Sequence, residues 1–307
     1  MKKKHLLLLL LTCFITKQAS AKCIALVTSG VSHFWSEVIA GAEQAANEVG
    51  ITVYARGTVN DDDEEGQQFI INHAIYTEKC QGLLLAPNSI ERLKEIALLK
   101  QEGIPTVYID RDIGGARVSV VKTNNIYAGR LAGQAMINAL NGKGNVAILG
   151  FKKGILNTDV RQNVFIDVAK KGGLNINAIE HLSTRIGDSR IKAFNILNKL
   201  ENIDAIFTDN EITTVATILA LRKMGKLGKI IHIGFDGHKL ISDSLIKGNL
   251  QGVVLQDAFQ MGYQGVLTLH KTMQGEKVSE YITTSSMYID NNNMNDNQTI
   301  KALKAYQ

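Results

Sequence analysis

Residues 104–112 read IPTVYIDRD. Pro105 stands at the entrance of an apolar run, Thr106 to Ile109, one of the few places where a strand tolerates a residue with no amide hydrogen. The run is continuous rather than alternating, so the spacing predicts a strand buried on both faces, as in a parallel sheet covered by helices. It stops abruptly on Asp110 and Arg111. In open α/β sheets ligands bind in the crevice outside the carboxyl ends of the strands. A charged pair placed there marks a candidate site.

The same grammar extends in both directions. Towards the N-terminus, strands are predicted at Ile24 to Thr28, Thr52 to Ala55 and Leu83 to Ala86. Helices fall at His33 to Val49, about Asp62 to Glu78 and Ile90 to Gln101. Gly50 is a natural C-terminal cap, and Asp61, Asp62 and Asp63 sit where acids favour a helix dipole. Beyond a strand at Val118 to Val121 a second series begins. Its helices are read at Asn125 to Leu140, Val160 to Lys170, Arg190 to Leu200, Ile212 to Met224 and Leu240 to Ile246. Its strands are read at Val146 to Gly150, near Ile179 to Leu182, at Ala205 to Thr208 and at Ile230 to Ile233. Too many βα units are present for one compact open sheet. The fold class is α/β with two similar lobes, each a parallel sheet with helices on both faces. The Asn-rich stretch from Asn291 to Asn297 reads as a surface loop.

The first residues read as an address. Lys2, Lys3 and Lys4 precede an apolar stretch, Leu6 to Ile15, which is too short for the roughly 20 residues a membrane span needs. Ala19-Ser20-Ala21 offers the small residues of a cleavage site, so 1–21 is expected to be a signal peptide removed before Lys22. An uncleaved anchor and lipidation at Cys13 are the alternatives; Thr12 before that cysteine is an unfavourable neighbour for lipidation. Cleavage takes the formal charge from +5 to +1, which leaves no electrostatic case for nucleic acid. Cys23 and Cys80 each precede an apolar run. If those strands are neighbours, the two could bond in an oxidising compartment; otherwise they are two small buried thiols.

Enzyme signatures are missing. There is no phosphate loop, no Gly-x-Gly-x-x-Gly after the first strand and no nucleophile elbow. His232 and His238 flank a strand end with no third ligand evident in the sequence, so no metal and no cofactor is expected. Polar groups instead gather at strand ends: Asp110-Arg111, Asp209-Asn210, Asp236-Gly237 and Gln256-Asp257, with Ser32-His33-Phe34-Trp35 after the first strand. Sugar hydroxyls both donate and accept, so carboxylate, guanidinium and amide groups suit them. Aromatic faces suit a sugar's C–H surface.

The stretches IALVTS, HFW, AGAEQAANEVG, GLLLAPNS, IPTVYIDRD, AIFTDNE, IIHIGFDG and GVVLQD together resemble the periplasmic ribose-binding-type proteins of ABC importers. These have the type I fold shared with the effector domain of lactose-repressor-like regulators. The resemblance runs over nearly all of the chain after residue 21. It implies an aromatic pair at Phe34 and Trp35, hydroxyl-binding groups at Asp110, Arg111 and Arg161, and further ligands at Asn210, Asp236 and Gln256. It implies three crossings between lobes, near Asn124, Gln256 and Thr284, acting as a hinge. The N-terminal lobe would be 22–124 plus 257–283, and the C-terminal lobe 125–256 plus 284–307. A monomer is implied, delivering a monosaccharide or polyol to a membrane permease in the periplasm.

Three departures set this chain apart. Ser32 replaces an Asn before the aromatic pair, Ala86 replaces an Asn after the third strand, and Asp188 falls near the second lobe's aromatic contact. Losing a partner for a buried hydroxyl costs roughly 1–3 kcal/mol, which argues against ribose itself. Asp188 opens an alternative, an amine-bearing ligand. A sensory role with a chemoreceptor or histidine kinase would use the same cleft. A transcriptional regulator conflicts with the export signal and with the absence of a helix-turn-helix ahead of Ile24. Asp110 and Asp236 could be imagined as an acid–base pair, but two neighbouring arginines are expected to keep both ionised, which suits binding.

Overall fold

The computed structural model describes residues 22–306; the signal peptide read at 1–21 lies outside them. Strands β1 (Cys23–Thr28), β2 (Thr52–Gly57), β3 (Gly82–Leu85), β4 (Thr106–Ile109) and β5 (Ser119–Thr123) form one sheet together with β11 (Tyr281–Thr284). Strands β6 (Asn145–Gly150), β7 (Asn175–His181), β8 (Ala205–Phe207), β9 (Ile231–Phe235) and β10 (Gly252–Gln256) form the other with β12 (Ser286–Asp290). The orders, β11-β5-β4-β3-β1-β2 and β12-β10-β9-β8-β6-β7, are the same order written twice. All pairings are parallel except β10 with β12.

Both faces of each sheet are covered, which is why the strands read as unbroken apolar runs. In β1, Ile24 and Leu26 face α1 (His33–Val49) and α9 (Ala258–Met273), while Ala25 and Val27 face α2 (Glu64–Asn72) and α3 (Arg92–Gln101). The second sheet packs on α4 (Asn125–Ala139) and α5 (Leu156–Lys171) on one side. Its other side carries α6 (Ile186–Leu197), α7 (Glu211–Lys223) and α8 (Lys239–Ile246). Helices α1 and α9 touch backbone to backbone. A Cβ on Gly41 would collide with the Phe259 carbonyl, and one on Gly262 with the Val38 carbonyl, so both positions require glycine. No helix among the described residues is long and apolar enough to cross a membrane.

Helix α1 and strand β4 fall where the spacing places them, and Gly50 caps α1 in the left-handed conformation. Other boundaries move, for identifiable reasons. The helix expected over 62–78 is α2 followed by a turn of π-helix, His73–Thr77. Strand β7 starts at Asn175, not near Ile179, because as an edge strand it is only half-buried and carries no apolar run. Helices α5 and α6 begin four residues before the expected starts. Their first turns hold polar, inward-facing Asn157, Thr158 and Ser189, so the apolar pattern begins late. The Asn-rich stretch is a turn that leads into a last helix, α10 (Asn297–Leu303).

Strands β1 and β3 are neighbours, and Cys23 is joined to Cys80 across them, with Cα atoms 4.3 Å apart. The bridge closes a segment of 57 residues. In the chain-entropy account a loop of that size is worth about 4 kcal/mol. The double variant Cys23→Ser/Cys80→Ser should therefore melt several degrees below the wild type. Reductant should lower the wild-type midpoint and leave the variant's unchanged in thermal unfolding.

Candidate functional site

The carboxyl ends of the two sheets face each other. Asp110 follows β4 and Asp236 follows β9, equivalent positions in the repeated strand order. Both adopt left-handed backbone, φ 63° and 68°, a conformation that Asp and Asn tolerate better than other side chains. Each is fixed by its own amide, which donates across the sheet at 2.9 Å, Asp110 to the Val121 carbonyl and Asp236 to that of Val254. The chain thus turns sharply at both strand ends, and both aspartates line the same cavity.

That cavity has a volume of about 370 Å³. Every ligand residue named from the sequence lines it: Ser32, Phe34, Trp35, Asp110, Arg111, Arg161, Asn210, Asp236 and Gln256. Phe34 and Trp35 pack edge to face, centroids 4.8 Å apart, on the wall built by the first sheet's half. Phe151, Ile186 and Ile212 supply apolar surface from the other half.

The two walls differ in polar character. On the second-sheet side the groups satisfy one another. Arg161 is 1% exposed. It donates through Nε to Asn125 Oδ1 (2.7 Å), through Nη1 to the Asp209 carbonyl (3.0 Å) and through Nη2 to Gln256 Oε1 (2.6 Å). Gln256 Nε2 then donates to Asp236 Oδ1 at 2.7 Å. Three of the guanidinium's five donors are spent within the protein, one of them on Gln256, which in turn holds Asp236. On the first-sheet side, Arg111 Nη2 pairs with Asp61 at 2.6 Å and Arg111 Nε lies 3.6 Å from Asp110. Arg111 Nε and Nη1 and Asp61 Oδ2 are buried with no hydrogen-bond partner among protein atoms. Donors and an acceptor side by side match a hydroxyl that does both.

The sequence places Asp61 with Asp62 and Asp63 at a helix start, where acids favour the dipole. Only Asp63 caps α2, accepting from the Gly66 amide at 2.9 Å. Asp61 is Arg111's partner, and Asp62 stands at the rim, accepting from Thr184 Oγ1 at 3.3 Å. The signal was available: these residues follow β2 and so lie at a strand's carboxyl end, like the rest of the site. Asn157 and Glu211 were also missed. Asn157 Nδ2 donates to Asp110 Oδ2 at 2.7 Å, and Glu211 accepts from the backbone at the start of α1. Asp188 is not in the cavity. Its side chain is 61% exposed on α6, and Ile186 at the start of that helix and Arg185 just before it line the cavity instead. The amine-ligand alternative built on it loses its basis.

For Asp236, burial corrects the expectation that the neighbouring arginines keep it fully ionised. Desolvation raises Asp236 to about 6 against the opposing pull of Arg161. It raises Asp209, which accepts from the Phe151 amide at 3.0 Å, to about 7. One guanidinium does not offset the desolvation of two buried acids.

Two repeated α/β halves with a polar and aromatic cleft between them define a solute-binding protein of the periplasmic type. The chain belongs to the periplasmic binding protein domain family, whose model matches residues 24–277. The family is one of binding proteins of the periplasm rather than of enzymes. Among curated relatives the D-apiose import binding protein of Paraburkholderia graminis is 27% identical over 74% of this chain and 71% of its own. Among solved structures, the periplasmic component of an ABC-type sugar transport system from Hahella chejuensis superposes with a TM-score of 0.83 at 30% identity. It covers 87% of this chain and 99% of its own. An ABC transporter solute-binding protein from Agrobacterium vitis with bound D-fucose gives 0.85 at 27% identity, over 92% of this chain and 99% of its own.

The raised carboxylates set a pH dependence. A carboxylate whose folded pKa lies above its unfolded value stabilises the fold fully below the unfolded pKa, and the contribution is lost as pH rises through the folded one. Asp209 and Asp236 therefore make stability fall between about pH 4 and pH 7, with no further loss from them above. Asp209→Asn keeps an acceptor for the Phe151 amide and removes one titration. It should flatten that slope by up to about 1.4 kcal/mol per pH unit in denaturant unfolding measured across the range.

Proposed function

We propose that this protein captures a neutral monosaccharide or polyol in the cleft and delivers it to an ABC permease. The observation that carries the ligand class is the first-sheet wall. There a buried guanidinium and carboxylate, Arg111 and Asp61, keep unpaired donors and an acceptor beside the rings of Phe34 and Trp35. Both arginines are paired within the protein: Arg111 with Asp61 and Asp110, Arg161 close to Asp209 and Asp236. An anionic ligand would meet no free guanidinium there, whereas hydroxyls find donor and acceptor together. Relatives that bind D-apiose and D-fucose support the sugar class.

Ligand entry requires the halves to part. In this reading the lobes are 22–124 plus 257–283 and 125–256 plus 284–307, and the three connections near Asn124, Gln256 and Thr284 form the hinge. The short links between β5 and α4, β10 and α9, and β11 and β12 support it. Residues 1–21 act as the export signal, and the protein works as a monomer in the periplasm.

Thermal unfolding of ligand-stripped protein against aldoses, deoxysugars and polyols tests the reading. A sugar at about 100 times its Kd adds roughly 2.7 kcal/mol, a shift of several degrees. A shift with none of them would overturn it. Arg111→Lys retains the charge but not the planar fork. It should weaken the best sugar about ten- to hundredfold by calorimetry while moving the ligand-free midpoint little.

A further inference from the structure

Helix α1 has no side-chain cap of its own. Ser32 occupies the N-cap position in extended conformation, and its hydroxyl makes no capping bond. Two free amides of the first turn are satisfied from the other half of the molecule. His33 N donates to Glu211 Oε1 at 3.2 Å and Phe34 N to Glu211 Oε2 at 3.0 Å. Glu211 is the first residue of α7 and 3% exposed. Its carboxylate lies at the positive end of α1, where an anion is favoured, and both bonds are charge-assisted. The next residues along α1 are Phe34 and Trp35, the aromatic wall of the cavity.

We propose that Glu211 is a positioning residue that couples closure to ligand retention: it lends α1 its missing cap only while the two halves are together. The inference rests on the interlobe trap described above. When the halves part, α1 loses its cap and a buried carboxylate loses two donors, so opening costs more than the ligand contacts alone. The coupling is reciprocal, as linkage requires: a bound ligand holds the cap, and the cap holds the aromatic pair in place against the ligand.

The surroundings of Glu211 favour this over a metal site. His33 Nδ1 lies 3.3 Å from its Oε1, and the His33 and His238 rings stand edge to face at 4.4 Å. The three residues offer ligand atoms within 4.8 Å of one another. However, His238 Nδ1 accepts the Leu240 amide at 2.9 Å. That bond puts the ring's hydrogen on Nε2 and leaves no free lone pair for an ion. Both carboxylate oxygens already accept from backbone. The cluster is arranged to hold hydrogen bonds.

Two measurements decide it. Trp35 is the chain's only tryptophan and lines the cavity, so its fluorescence follows binding. Stopped-flow experiments would use whichever of D-apiose, D-fucose, D-allose and D-ribose binds the wild type. Glu211→Ala should raise the dissociation rate about tenfold, a loss on the scale of a helix cap. Association should change by less than about threefold, and the ligand-free melting point should fall by no more than a few degrees, the share of a helix cap that the ligand-free closed form holds. Glu211→Gln should fall between, since its amide oxygen accepts one of the two amides. Hydrogen exchange at the His33 and Phe34 amides without sugar gives an independent answer: protection in the wild type should be lost in Glu211→Ala. Equal protection, an unchanged dissociation rate, or an effect that disappears with EDTA and returns with Zn²⁺ would overturn the proposal. A wild type that binds no sugar but shows the exchange difference would reject the sugar reading and keep the latch.

Discussion

The site depends on a backbone constraint at two strand ends. After β4 and after β9 the amide of an aspartate bonds to the neighbouring strand, and its φ turns positive. A non-glycine residue held there costs on the order of 1–2 kcal/mol, and the sheet hydrogen bond is what keeps it there. The turn ends the strand and places a carboxylate at the cleft. Because the strand order is the same in both sheets, the device occurs twice, and the two carboxylates, Asp110 and Asp236, line one cavity. Replacing either by a β-branched residue would remove the acid and also force the strand end to move.

From these equivalent anchors the two walls diverge. Around Asp236 the polar groups close on themselves, through Gln256 to Arg161 and on to Asn125 and the Asp209 carbonyl. Around Asp110 they remain open, with Arg111 and Asp61 holding unspent donors and an acceptor. A wall bonded largely to itself, facing one with open donors and an acceptor, suits a trap in which the first half selects the ligand and the second encloses it. Enclosure then strengthens the same polar contacts by removing water. The low dielectric that would do so is already visible in the protein, where it lifts Asp236 to about 6 and Asp209 to about 7 despite the nearby guanidinium.

The fold was legible because burial on both faces forces every central strand to be an apolar run, as in IALVT and TVYI, and those runs alternate with helical spacing. What blurred was the periphery. The edge strand β7 has no such run, and α5 opens with a polar turn whose Asn157 and Thr158 line the cleft. Site residues that sit directly on strand ends, such as Asp110, Asp236 and Gln256, could be read from position alone. Asp61 could have been read by the same rule, but three consecutive acids before a helix look like a cap, and one of them, Asp63, is one.

Glu211 lies beyond that kind of reading for a different reason. Its partners are the amides of His33 and Phe34, 178 and 177 residues away. Backbone amides carry no residue identity, so no sequence pattern marks the pair. The sequence even points the other way: Ser32 is a favoured N-cap residue, and only the structure shows that its hydroxyl does not cap. A helix start that lacks a working cap but is buried beside a cleft must find its acceptors elsewhere, because unpaired buried amides are rarely tolerated. Here the acceptor is Glu211, from the half built on the second sheet, and this contact is the one on which the proposed latch rests.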